Sequence, residues 1–160
     1  MKLRDRPAPP PPAPLLRGEV RTKPVVLATT AVPFEDDAFA VALSAAIEAR
    51  ATLIVVDAVE LPLWPQSIAT RHADTELDAD RACIRERVDQ AAALGVHVEH
   101  LRVRSPHPID AVLEVAGERE AGLLVFGPDR SRLRPRAFAR MVRRIRKRAV
   151  CLLWVAGEGP

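Results

Sequence analysis

A chain of 160 residues with 48% hydrophobic and 28% charged residues carries enough apolar content for one domain around a single core. No apolar run reaches the roughly 18 residues of a membrane span, and prolines stand where a secretory leader needs an apolar core, so a cytoplasmic protein without a membrane partner is expected. The net charge of +3 conceals an asymmetry: ten of the nineteen residues from Arg130 to Arg148 are Lys or Arg, while the rest of the chain carries more acids than bases.

Residues 1–23 stand apart. Pro7-Ala-Pro-Pro-Pro-Pro-Ala-Pro14 lacks amide donors at its prolines and favours polyproline II, which predicts a tail outside the domain. The domain itself is expected over 24–157, with 158–160 as a short C-terminal tail. Val25 to Thr29 is an apolar, β-branched run, and Glu35 to Arg50 places Ala38, Val41, Ala42, Ala45 and Ala46 at helical spacing. Glu35, Asp36 and Asp37 fall in the first turn of that helix, where negative charge complements the dipole. Thr52 to Asp57 reads as a strand buried on both faces, and Leu61-Pro-Leu-Trp-Pro65 as a loop. A helix from about Ala73 to Leu94 follows, burying Leu77, Ile84, Val88, Ala91 and Ala92, and Gly95 stops it.

The second half repeats the alternation. Val96 to Val103 reads as a strand, Ile109 to about Glu120 as a helix, and Gly122 to Gly127 as a strand. In the basic segment Phe138, Val142, Ile145 and Ala149 recur at spacings of three and four, one apolar stripe on a helix whose arginines lie largely off it. Cys151 to Val155 is the last strand. Strand alternating with helix implies a parallel sheet, since each crossover needs a helix and winds right-handed. Five strands and four helices are expected.

Several segments together resemble the universal stress protein family from Val25 to Val155. Val25-Val-Leu-Ala-Thr-Thr30 is similar to its opening strand, Asp57-Ala-Val-Glu60 to the end of its second, Ile109-Asp-Ala-Val-Leu-Glu-Val-Ala116 to a helix, and Leu123-Leu-Val-Phe-Gly127 to a later strand. The resemblance implies an α/β fold of the adenine-nucleotide α-hydrolase-like type, with a five-stranded parallel sheet in order 3-2-1-4-5 and helices on both faces. It also implies a homodimer through the last strand, Cys151, Leu152, Leu153, Trp154 and Val155.

In the family's nucleotide-binding branch an Asp ends the first strand, and Gly-x2-Gly-x9-Gly-(Ser/Thr) wraps the triphosphate. Carried onto this chain, the Asp position is Thr30, beside Thr29. The three glycines fall on Gly127, Arg130 and Arg140, or on Ala139 if the last segment is shifted by one. Ala58 matches the position whose backbone meets adenine. Glycine lets amides approach phosphate closely, and Pro128 removes a further donor, so the replacements disfavour ATP or AMP in the usual cradle. Two anionic alternatives remain. Arg130 and Arg140 are suited to clamp a phosphorylated small molecule by their side chains, and the helix 130–148 to meet nucleic acid, although it lacks interleaved aromatic residues for base stacking.

Catalytic constellations are sparse. His97 and His100 are three apart in a strand and face opposite sides, while His72, Asp74 and His107 have no partner at metal-ligand spacing. Ser44 and Ser131 lack an obvious base, and Cys83 and Cys151 suggest neither a disulfide nor a nucleophile in a reducing compartment. A non-catalytic binding domain of a stress response is the expectation.

Overall fold

The computed structural model describes residues 22–61 and 71–157, with side chains throughout except at 71–77. The proline-rich run, the loop after Leu61, the C-terminal 158–160 and the side chains of His72, Asp74 and Leu77 lie outside the described residues.

Strands β1 (Val25–Thr29) and β2 (Leu53–Glu60) are buried along almost their whole length, as continuous apolar runs in a parallel sheet should be. They alternate with helices α1 (Asp36–Ala49) and α2 (Arg71–Ala93), and β3 (Val98–Ser105) follows. Then come α3 (Pro108–Glu118), β4 (Leu123–Phe126), a 3₁₀ turn (Arg130–Arg132), α4 (Pro135–Arg148) and β5 (Leu152–Val155). The five strands form one parallel sheet in the order β3-β2-β1-β4-β5. That is the expected architecture. Its switch point lies between β1 and β4, where successive connections leave for opposite faces.

Each face has its own core. On one, Phe39 and Ala42 of α1 and Ile84 and Ala91 of α2 cover Val25, Leu27, Leu53 and Val55. On the other, Ile109 and Val112 of α3 and Phe138, Val142 and Ile145 of α4 cover Val26, Ala28, Val56 and Phe126. The predicted stripe of α4 is therefore the buried one. Phe138 stacks on Phe126 with ring centroids 6.2 Å apart. Proline begins both α3 and α4, where its missing amide costs no helical bond.

Four local expectations are corrected. Ala92 is exposed, because the inward face of α2 passes from Ile84 to Ala91 and the helix ends immediately afterwards. Phe39, absent from the predicted stripe, is buried at 4% exposure. β3 starts at Val98 rather than Val96, since Gly95 at φ +83° still belongs to the helix stop. β2 runs on to Glu60 because β3 pairs with it through Ser105.

Candidate functional site

The ends of β1 and β4 lie side by side, with the Gly127 amide donating to Ala28 O at 3.1 Å. In doubly wound sheets the crevice beyond such a switch point is where ligands bind. Here the two loops that flank it are stitched together. Phe34 and Pro128 form an isolated antiparallel bridge, Glu35 N donates to Gly127 O at 2.9 Å, and Asp129 N donates to Pro33 O at 2.9 Å. Pro128 is compatible with this pairing because the bonds come from its neighbours.

The amides that follow have carboxylate partners from the chain itself. Arg130 N donates to Glu35 Oε1 at 3.1 Å, and Ser131 N donates to Asp129 Oδ1 at 3.0 Å, with the Ser131 hydroxyl on the same oxygen at 2.6 Å. Successive amides after a strand are the donors a phosphate would use. Two carboxylates already accept from them, and their charge opposes an incoming anion.

Thr29 is fully buried, and its hydroxyl donates to Val32 O at 2.6 Å, which fixes the turn containing Ala31 at φ +55°. The Thr30 hydroxyl lies 3.8 Å from Met141 Sδ, so it faces α4. Ala58 is fully buried in the core under α3 and α4. Gly127 is a packing glycine: a Cβ there would lie 2.0 Å from the Ala38 Cβ of α1. Thr29, Thr30 and Gly127 are thus gathered at adjoining strand ends.

The two arginines line different clefts. The Arg130 guanidinium lies 5.3 Å from the Phe138 ring centroid and donates from Nη1 to Gly157 O at 3.2 Å. Arg140 is the sixth residue of α4, exposed, and its interior position commits its amide to the helix. The pair therefore does not converge on one anion, contrary to the clamp expected from the motif positions. Ala139, the shifted counterpart, is also exposed on α4.

Beside the crevice, Asp57 of β2 is 3% exposed, with Arg102 Nε 3.7 Å from its Oδ2. Burial raises its carboxyl above the usual range, against the opposing pull of Arg102, His100 and Arg81. Along α4 the charge is differently arranged. Arg144 grips Asp110 of α3 through two bonds of 2.7 and 2.6 Å, and Arg148 reaches the same carboxylate at 2.6 Å. Arg136, Arg140, Arg143 and Lys147 are exposed, spaced at four, three and four residues, and meet no carboxylate among the described residues. No three His, Cys, Asp or Glu side chains gather at metal-binding distance among the described residues.

A sequence model of the universal stress protein family matches residues 21–156. The chain belongs to that family. Solved universal stress proteins share its fold: one from Burkholderia pseudomallei aligns with a TM-score of 0.62 at 21% identity, covering 88% of this chain and 99% of that one. A universal stress protein in complex with cAMP aligns with a TM-score of 0.59 at 26% identity, covering 87% of this chain and 99% of that one. One from Archaeoglobus fulgidus in complex with dAMP gives 0.60 at 19% identity, with coverages of 84% and 98%. No match was found among curated proteins.

Glu35 and Asp129 were not legible as site residues. Asp129-Arg130-Ser131 carries a readable signal, since Asp two residues before Ser commonly forms an Asx turn. Nothing local connects Glu35 with Arg130, 95 residues away.

Proposed function

We propose that this universal stress protein acts in the cytoplasm by binding rather than by catalysis, as a regulatory domain of a stress response, and that it does not hold ATP or AMP in the family's usual cradle. The observation that carries this reading is the closed switch point, where Phe34 pairs with Pro128 and Glu35 and Asp129 accept from the loop amides. Relatives solved with cAMP and dAMP make nucleotides the ligands to test first. A ligand present at about 100 times its dissociation constant adds about 2.7 kcal/mol to stability, which is several degrees in melting temperature for a domain of this size. The expected result with ATP, AMP or cAMP at millimolar concentration is no shift. A saturable rise overturns the reading.

The exposed row Arg136, Arg140, Arg143 and Lys147 favours a second reading, contact with nucleic acid or another polyanion along α4. Such binding must weaken steeply as salt rises. Affinity for a short duplex that stays flat between 50 and 200 mM salt removes it.

Self-association through β5 accompanies either reading. Among the described strands β5 lies at the sheet edge and pairs only with β4, while Leu152 is 74% exposed and Val150 86%. Leu152 is the position to charge, since Val155 is buried. Leu152→Arg is expected to shift sedimentation from dimer to monomer, and an unchanged profile excludes this edge as the contact.

A further inference from the structure

The cleft beside α4 has a volume of about 710 Å³. That lies within the range of about 300–1,000 Å³ typical of small-molecule sites. Leu133, Pro135 and Ala139 give it an apolar wall, with the buried Phe138 and Val142 behind them, and Arg130, Arg143 and Lys147 are among the cations at its rim. No Asp or Glu lines it among the described residues. We propose that this cleft binds an amphipathic organic anion: an apolar chain or ring bearing one carboxylate or phosphate.

Both halves of that ligand are needed. An inorganic anion would satisfy the rim and leave the apolar wall wet. A neutral hydrophobe would cover the wall and desolvate cations without supplying a counter-charge, which is unfavourable. An amphipathic anion does both, its body against the wall and its head among the guanidinium and ammonium groups.

Part of the site is organised in advance. Phe138 is held by its stack on Phe126, and Val142 is 4% exposed, so the packing that backs the wall does not need to form on binding. Arg130 is fixed above the Phe138 ring by its bond to Gly157 O. Gly157 permits this approach, since a Cβ there would lie 1.7 Å from Arg130 Nη1. Arg143 and Lys147 lie one helical turn apart, and like charges at that spacing weaken a helix, which an anion between them relieves.

A larger open cleft, about 1120 Å³ at the N-terminal end of the sheet, gives the contrasting case. Its lining mixes both signs, and Arg119 pairs with Glu99 there at 3.0 Å. Its charges are partly compensated from within. The cleft beside α4 has no acidic lining of this kind among the described residues.

The inference is independent of the switch-point reading, because nucleotide titration tests the crevice and amphiphile titration tests this cleft. The experiment is calorimetric titration of the full chain with dodecanoate and dodecyl phosphate below their micellar concentrations, beside dodecanol and inorganic phosphate. Saturable binding of either anionic amphiphile, at least tenfold tighter than both controls, is expected. The tighter of the two heads distinguishes a free fatty acid from a phosphate-headed lipid source. Lys147→Glu should weaken binding about tenfold, whereas Arg85→Glu, the same charge change on α2 at the opposite face of the sheet, should alter it less than twofold. Both positions are exposed, so circular dichroism of each variant should match the parent. No binding of either amphiphile overturns the proposal. So does equal loss in the two variants, which would mean that net charge rather than the cleft attracts the ligand.

Discussion

The turn after β4 and the helix that follows it treat charge in opposite ways. In the turn, the amides of Arg130 and Ser131 already donate to the carboxylates of Glu35 and Asp129. Along α4, Asp110 takes up Arg144 and Arg148, but Arg136, Arg140, Arg143 and Lys147 meet no carboxylate among the described residues. The place that topology marks for an anion is therefore internally satisfied, and the cationic surface lies outside it. A shared fold sets where a crevice lies, but the side chains around it determine whether the crevice is open.

The largest effect that separates these regions is expected at Gly127. If its role is packing against Ala38, Gly127→Ala must displace α1 from the sheet and should cost about 3 kcal/mol, or roughly 6–12 °C in melting temperature. A glycine retained only for phosphate would tolerate the methyl without ligand. Adding Ala38→Gly should recover part of the loss, less about 1 kcal/mol for glycine in a helix. An unchanged melting temperature for the single variant would reverse this assignment.

The fold was readable because its signals are local. Val25–Thr29 and Leu53–Asp57 are apolar runs, and Phe138, Val142 and Ile145 mark a helical stripe by spacing alone. β3 was the least accurate strand: Val98-Glu-His-Leu-Arg-Val-Arg-Ser105 is half-buried at an edge, so its start carries no strong apolar contrast. The site was readable only in position. Thr29, Thr30 and Gly127 lie at adjoining strand ends, but what fills the space between their loops depends on Glu35. Its local context suggested a dipole-compensating residue of the first helical turn. In the fold it occupies the cap position of α1, where its carbonyl accepts from Phe39 N, but its side chain caps nothing there and reaches across to Arg130 instead.

That contact gives a sharper, smaller test. Glu35→Ala removes an acceptor from the Arg130 amide and should cost about 1 kcal/mol in urea denaturation, the net value of a typical hydrogen bond, because water can partly replace the carboxylate at this exposed site. If Glu35 also repels anions, Glu35→Ala combined with Asp129→Ala should gain measurable affinity for ATP that the parent lacks. Loss of stability without that gain would mean that the paired loops, rather than the carboxylates, close the crevice.

Titration distinguishes the buried carboxylate beside the crevice from the one that anchors α4. Burial raises the folded pKa of Asp57 above its unfolded value near 3.8, so its contribution to stability is present below that pH and is lost as pH rises through the folded pKa. Asp57→Asn should therefore gain stability relative to the parent as pH rises from 3.8, and a difference that stays constant would contradict this. Asp110 has the opposite sign: the hydrogen bond from Arg144 lowers its folded pKa, so its contribution is present above 3.8 and disappears as pH falls through the lower value. Asp110→Asn should flatten the acid limb of the stability profile by a small amount, and less so at high salt, because the pair with Arg144 is open to solvent. If the acid limb is unchanged in Asp110→Asn at low salt, the α3–α4 ion pair contributes no resolvable stability, and α4 is held by the apolar stripe that includes Phe138, Val142 and Ile145.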